Sequence, residues 1–171
     1  MNDIVSRLEH DLEQGEILDG NRRYLLMRPD VLMGMLRGLD ETTRAAVLKS
    51  FTRAAYENGG RSIEAYARDA DGRALLDVVC ETSAGLGWGK WDAELERDGL
   101  RLTVRNSPFA WGYGVASCPV CAPVVGIVQS VAKQILGSPV VAEEVACGAM
   151  SGRACEFVAY REDRSLEGNL K

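Results

Sequence analysis

The chain has 171 residues, of which 46% are hydrophobic, and its 20 basic and 25 acidic side chains give a net charge of -5 at pH 7. This size and composition are typical of one globular domain, and an acidic chain without a block of Lys and Arg argues against nucleic acid as a partner. The sequence contains no apolar run long enough to span a membrane, and the charged N-terminus lacks the apolar segment of a signal peptide, so we expect a cytoplasmic protein.

The N-terminal region is predicted to start with one amphipathic helix. Asn2 or Asp3 is placed to cap this helix, and Gly15 is placed to end it. Its apolar side chains recur at helical spacing and are Ile4, Val5, Leu8 and Leu12. Two short extended segments are expected next, on either side of a turn at Asp19-Gly20-Asn21.

Helices are predicted to dominate the chain up to about residue 86. Pro29 favours a helix start, and Asp40 favours a capped start for a longer helix that the Gly59-Gly60 pair is expected to end. The next helical stretch is expected to break near Asp71-Gly72.

From Gly87 onward the apolar residues alternate, which predicts strands. A hairpin is expected with its turn at Asp98-Gly99, then a loop rich in Gly and aromatic residues, then an apolar helix from about Pro119 to Leu136. Two more strands follow. The predicted fold is therefore α+β, with an antiparallel sheet of about four strands covered by helices and an N-terminal helical segment. We expect a single domain over residues 1–162 and a polar tail over residues 163–171.

Four of the five cysteines lie in the segment from Cys118 to Cys155. In a reducing compartment, clustered cysteines are more often metal ligands than disulfides. Cys121 is predicted at the start of the apolar helix, and Glu144, Cys147 and Cys155 on or beside the last two strands. Three thiolates and one carboxylate suit a closed, structural zinc site.

Two alternatives to that zinc site stay open at this point. Cys118 could replace Glu144, because the sequence Cys118-Pro-Val-Cys121 resembles a metal knuckle. The thiols could also be buried core residues without a metal, which is the simplest interpretation of the isolated Cys80. No catalytic constellation is found, since His10 is the only histidine and no phosphate-binding loop is present.

The ordered motifs of the second half resemble the 4-vinyl reductase domain family, which includes the sensor modules of aromatic-responsive transcription activators. The residues that carry the resemblance are Gly87-Trp88-Gly89, the segment Val104-Arg105-Asn106-Ser107-Pro108-Phe109-Ala110, Pro119-Val120-Cys121, Glu144 with Cys147, and Gly152 with Cys155. Upstream, the segment Gly20-Asn21-Arg22-Arg23-Tyr24 also fits the family.

The resemblance implies a fold related to subunits of the TRAPP trafficking complex, a homodimer, and a small apolar ligand pocket beside a structural zinc. The family's zinc ligands fall on the residues already chosen: Cys121, Glu144, Cys147 and Cys155. The phenol-responsive sensors use a Trp and an upstream His for their ligand. Here Val104 stands at the Trp position and His10 lies in the predicted first helix, so this chain departs from that pair.

The candidate pocket residues are mainly aromatic and are Trp88, Val104, Phe109, Trp111, Tyr113 and Val128. Three of these aromatics lie among Gly residues in the predicted loop, which favours either a cavity wall or a dimer contact.

Our leading hypothesis is a stand-alone, zinc-stabilised domain that binds a small hydrophobic or aromatic molecule for sensing or delivery, with its output passed to a downstream protein partner. One alternative is a reductase or accessory protein acting on the vinyl group of a chlorophyll precursor. Another is an assembly protein that uses the TRAPP-like fold as an interaction surface.

Overall fold

The computed structural model describes residues 4–162. The predicted cap at Asn2 or Asp3 and the predicted tail over residues 163–171 lie outside this range. The strands are β1 Glu9–Asp11, β2 Glu16–Asp19, β3 Arg22–Tyr24, β4 Lys90–Glu96, β5 Gly99–Arg105, β6 Val140–Ala146 and β7 Cys155–Arg161. The α-helices are α1 Ile4–Arg7, α2 Pro29–Arg37, α3 Glu41–Ala54, α4 Gly60–Tyr66, α5 Gly72–Gly85, α6 Pro108–Tyr113, α7 Ala122–Leu136 and α8 Gly148–Ser151, and a π-helical turn, Ala55–Gly59, joins α3 to α4.

The main sheet has four antiparallel strands in the order β4-β5-β7-β6. Buried and exposed residues alternate along β4, β5 and β7, as expected for a sheet with one covered face. Helix α5 contacts β4, and helix α7 contacts β5, β6 and β7. The prediction of an α+β fold with a helix-covered sheet of about four strands is confirmed.

The predicted N-terminal helix is much shorter than expected. Helix α1 ends at Arg7, and β1 pairs with β2 so that His10 lies opposite Ile17 in a small three-stranded sheet. The Asp11 carboxylate accepts hydrogen bonds from the backbone N–H groups of Glu13 and Gln14, both at 2.9 Å, which closes the turn between β1 and β2. Strand pairing and this turn therefore override the helical spacing of the apolar residues.

The predicted cap at Asp40 is confirmed, because its carboxylate accepts a hydrogen bond of 3.0 Å from the Thr43 N–H. The prediction that Gly59-Gly60 ends this helix is wrong. The chain passes through the π-helical turn at these residues and continues as α4. Helix α7 packs against this region, and a Cβ atom at Gly59 would overlap the Ile127 side chain. The glycine pair thus leaves space for a neighbouring helix.

The segment predicted to be a Gly-rich loop contains helix α6. Ser107 caps this helix through a hydrogen bond of 3.4 Å from the Ala110 N–H, and Pro108 occupies its first position. Helix α6 packs against α2, and a Cβ atom at Gly112 would overlap the carbonyl oxygen of Pro29. The loop prediction is therefore corrected: the glycine content serves close packing between α2 and α6.

None of the helices within residues 4–162 combines the length and the hydrophobicity needed to cross a membrane. A patch of large apolar side chains is nevertheless exposed on and before α2 and on α6. We call it the α2–α6 patch, and its members are Leu25, Leu26, Met27, Val31, Met35 and Trp111. Val31 and Met35 are one helical turn apart, on the side of α2 opposite its buried residues Met33 and Leu36.

Candidate functional site

Four residues from three parts of the chain form a compact cluster, which we call the Cys3Glu cluster: Cys121, Glu144, Cys147 and Cys155. One ligand atom from each lies within 4.8 Å of the ligand atoms of the others. The Cys121 and Cys155 sulfurs are 3.6 Å apart, and all three cysteines are almost fully buried. The structure therefore brings together the four residues predicted to bind a metal, in an arrangement that could hold one ion.

Each member of the cluster is positioned by local structure. Cys121 directly precedes α7, Glu144 lies in β6, Cys147 precedes the short helix α8, and Cys155 begins β7. Glu144 pairs with Phe157 across the sheet, so it shares the covered face with Phe157 and Cys155. Its neighbour Glu143 points to the opposite face, as the alternation of side chains in a strand predicts.

A β-bulge separates Glu144 from Cys147. The register between β6 and β7 shifts between Glu144 and Ala146, after which the chain turns into α8. A Cβ atom at Gly148 would lie 2.5 Å from the Arg153 carbonyl oxygen and 3.4 Å from the Cys155 sulfur. Only glycine fits this approach without moving the turn, so the segment from Cys147 to Cys155 is closely adapted to the cluster.

Hydrogen bonds from outside the cluster orient its ligand atoms. The Cys121 N–H donates to Glu144 Oε2 at 2.8 Å, and the Gly148 N–H donates to the Cys155 sulfur at 3.2 Å. Ser107 Oγ lies 3.3 Å from the Cys121 sulfur. Such outer contacts are the usual support of metal ligands.

The other carboxylate oxygen of Glu144, Oε1, is buried and has no hydrogen-bond partner among the described residues. A buried oxygen without a partner is costly unless a cation or a proton satisfies it. This oxygen and the three thiols give a donor set that fits a metal ion.

The ionisation of the cluster is strongly perturbed. Burial and the neighbouring Cys147 raise the pKa of Glu144 to about 8. Hydrogen bonds with Cys147 and Cys155, together with burial, raise the pKa of the Cys121 thiol, whereas hydrogen bonds from Cys121 and Cys147 lower the pKa of Cys155 to about 4. Four acidic groups this close cannot all ionise unless a cation balances them. The cluster is therefore suited to a cation.

Cys118 does not belong to the cluster, and Glu144 does. The alternative in which Cys118 replaces Glu144 as a ligand is therefore not supported by the geometry. Cys80 is half-buried on α5, and burial raises the pKa of its thiol to about 11.

A separate cavity of about 340 Å³ lies among α3, the π-helical turn, α4, α5 and α7. Its walls are largely apolar and hold four aromatic side chains. The residues that line it are Tyr24, Phe51, Ala54, Ala55, Asn58, Gly59, Ser62, Ile63, Tyr66, Val79, Thr82, Ser83, Leu86, Trp88 and Ile127. Ala54 and Asn58 are exposed, whereas Ile63, Tyr66 and Val79 are buried, so the cavity opens beside the π-helical turn and runs inward.

Of the six predicted ligand-binding residues, Trp88 lines this cavity. Phe109 lies one layer behind its wall, where its ring makes edge contacts with Phe51 and Trp88 at centroid distances of 6.3 and 5.1 Å. The other four are not on the cavity wall: Val104, Tyr113 and Val128 are buried in the core, and Trp111 is 71% exposed in the α2–α6 patch. The core positions follow from strand and helix packing, which places these side chains against one another.

Sequence reasoning missed most of the cavity wall, which comes from the first half of the chain. Phe51, Ile63 and Val79 have the sequence pattern of ordinary helix core residues, yet they line the cavity. The Gly59-Gly60 pair inside an otherwise helical pattern was the available signal, because a π-helical turn often marks a functional site.

Helix α6 lies between the two sites. Its cap residue Ser107 contacts the Cys121 sulfur, and its residue Phe109 contacts Phe51 and Trp88 of the cavity wall. The Cys3Glu cluster and the cavity are therefore joined through one short helix.

The comparison with known families finds a match to the 4-vinyl reductase (V-4-R) domain over residues 100–161. This segment runs from β5 to the end of β7 and contains the whole Cys3Glu cluster. The cavity wall lies mostly upstream of it. No curated protein sequence matches the chain.

Solved structures share the fold over most of the chain. The phenol-responsive sensory domain of the transcription activator PoxR, solved with phenol, is 18% identical with a TM-score of 0.76 and covers 95% of this chain and 90% of its own. Subunit 3 of a trafficking protein particle complex from Naegleria fowleri, covalently bound to palmitic acid, is 9% identical with a TM-score of 0.55, covering 77% and 93%. A vinyl-4-reductase family protein from Methanocaldococcus jannaschii is 15% identical with a TM-score of 0.47, covering 80% and 96%.

At these identities the solved structures show the fold alone. The family match over residues 100–161 adds the part of the chain that holds the cluster. The resemblance drawn from the motifs is confirmed, and the chain carries a 4-vinyl reductase domain within a fold that it shares with the PoxR sensory domain.

Proposed function

We propose that this protein binds a small hydrophobic or aromatic molecule in the cavity, for sensing or delivery. The observation that carries the proposal is the cavity itself, which has a volume of about 340 Å³ and is lined by apolar and aromatic side chains. Cavities of this size and composition are typical small-molecule sites. That the PoxR sensory domain of the same fold was solved with phenol supports a ligand of this kind.

Binding can be tested with a neutral two-ring aromatic, 2-methylnaphthalene, followed through the quenching of tryptophan fluorescence. Ala54 is exposed at the opening of the cavity, so Ala54→Trp should block access without overpacking the core. Affinity should fall at least about tenfold. Ala84→Trp makes the same change at an exposed position of α5 outside the cavity and should bind as the wild type does. Equal binding by both variants, or no binding by the wild type, would refute the proposal.

We further propose that the Cys3Glu cluster holds one structural zinc ion. Soft thiolates favour zinc over magnesium or calcium, and four protein ligands leave no open position for water or substrate. The unpartnered Oε1 of Glu144 and the three buried thiols support this assignment. In this role the zinc would fix the start of α7 to β6 and β7, and would not take part in a reaction.

The α2–α6 patch supports a homodimer. Its exposed Leu, Met and Trp side chains form an apolar surface, and large exposed apolar patches are uncommon on monomers. Light scattering coupled to size exclusion should show a dimer that Val31→Glu converts to a monomer. Leu12→Glu changes another exposed apolar residue, in the turn between β1 and β2, and should leave the dimer intact. A monomeric wild type would contradict the proposal. Output would then pass from the dimer to a downstream protein.

A further inference from the structure

We propose that the ligand is an organic acid whose carboxylate is held at the inner end of the cavity by the hydroxyl groups of Ser62 and Tyr66. The inference rests on the proposed function and specifies the class of ligand. It is carried by a charged cluster that lies behind these two hydroxyl groups and that no sequence motif indicated.

The charged cluster contains two arginines and one carboxylate. Asp19, which is 7% exposed, accepts from Arg7 Nε at 3.3 Å and from Arg22 Nη2 at 3.1 Å. Both guanidinium groups also lie over the Tyr66 ring, at 5.9 and 6.0 Å from its centroid. One carboxylate is thus shared between two guanidinium groups, which places positive charge beside the cavity. Such a charge favours an anion.

Two hydroxyl groups connect this charge to the cavity wall. Arg7 Nη2 donates to the Tyr66 hydroxyl at 3.5 Å, and Arg22 Nη1 donates to Ser62 Oγ at 3.3 Å. Because each hydroxyl accepts a hydrogen bond from a guanidinium, its own proton can be donated to another partner. Tyr66 and Ser62 both line the cavity. This end of the cavity therefore presents two polarised donors, which suit a ligand oxygen that accepts two hydrogen bonds.

A carboxylate fits this end better than a neutral group does. Burying a carboxylate in an apolar cavity is unfavourable unless hydrogen bonds and an opposite charge compensate, and both are present here. The apolar remainder sets the size of the ligand. An apolar cavity of about 150 Å³ in another protein holds one benzene. At about 340 Å³ this cavity accommodates a body larger than a single ring, such as a two-ring aromatic acid.

The test compares 2-naphthoate with 2-methylnaphthalene, which share the same rings and differ in the carboxylate. Titration calorimetry of the full chain at pH 7 should show about tenfold tighter binding of 2-naphthoate, as expected for hydrogen bonds to a charged group. Tyr66→Phe and Ser62→Ala should each remove most of this preference and leave the affinity for 2-methylnaphthalene within about twofold.

The charge is tested separately on strand β3. Arg22→Gln should weaken 2-naphthoate binding about tenfold, whereas Arg23→Gln should not. Arg23 makes an exposed ion pair with Glu16, so this control changes the net charge equally without touching the cavity end. Melting curves confirm that each variant folds.

Equal affinity of the wild type for both probes, or an unchanged preference in Tyr66→Phe and Ser62→Ala, would overturn the inference and leave the proposed function intact. If neither probe binds, the proposed function fails and the inference fails with it. Binding of 2-methylnaphthalene alone refutes only the carboxylate assignment.

Discussion

Removal of the metal from the Cys3Glu cluster is expected to lower the free energy of unfolding by about 4 kcal/mol. An ion bound by both Cys121 and Cys155 links residues that are 34 positions apart. The chain-entropy treatment of cross-links gives about 3.8 kcal/mol at 25 °C for a closed loop of about this length. In a domain of this size, each kcal/mol shifts the melting temperature by about 2–4 °C. The metal-free protein should therefore melt about 8–15 °C lower.

The assay combines elemental analysis with thermal melting, each measured before and after treatment with a chelator. Wild-type protein should contain one zinc per chain and lose both the zinc and the extra stability on chelation. Cys155→Ser should be purified without zinc and melt at the temperature of the chelated wild type. Cys118→Ser is the matched control, since Cys118 lies close in sequence but outside the cluster.

Two results would refute this reasoning. A chelated sample that melts at the original temperature would show that no metal stabilises the fold. Loss of zinc in Cys118→Ser together with its retention in a Glu144→Gln variant would show that the ligand set is wrong.

Three further predictions concern packing and thiol chemistry. In Gly126→Ala the new Cβ would overlap Thr52 O and lie 2.8 Å from Tyr56 N, so stability should fall by about 1–3 kcal/mol in denaturant titrations; Gly34→Ala, which meets only a side-chain atom at 3.5 Å, should not be destabilising. Gly148→Ala should shift the turn beside Cys155 and weaken zinc retention against a competing chelator by about tenfold; an unchanged competition curve would argue against this tight approach. Because the pKa of Cys80 is raised to about 11, its alkylation by iodoacetamide should still accelerate between about pH 9 and pH 10, and a plateau by about pH 9 in peptide mapping would contradict the burial effect.

The metal cluster could be predicted from the sequence because its signals are local. Cys121 directly precedes a strongly apolar helix, and Glu144, Cys147 and Cys155 lie next to strands whose alternation is clear. Once the two strands pair, the covered face of the sheet determines which side chains meet. The spacing of these residues therefore contained most of the geometry of the cluster.

The cavity could not be predicted in the same way, because it depends on how separate helices pack. Phe51 and Val79 have the periodicity of ordinary core residues, and periodicity does not show where the packing leaves space. The charged cluster around Asp19 was hidden for a related reason. Its members lie in α1, β2 and β3, and the sequence pattern predicts that the first of these elements continues as a longer helix.

The π-helical turn between α3 and α4 has a consequence for the length of this segment. An α-helix advances by about 100° per residue, so the extra residue of a π turn sets the side chains of α4 out of phase with those of α3. Deleting one residue, such as Glu57, would restore a regular helix and rotate Ser62, Ile63 and Tyr66 by about 100° relative to Phe51. Those side chains would then leave the cavity wall. Related chains that lack the extra residue would gain a more regular helix and lose this inner end of the ligand site.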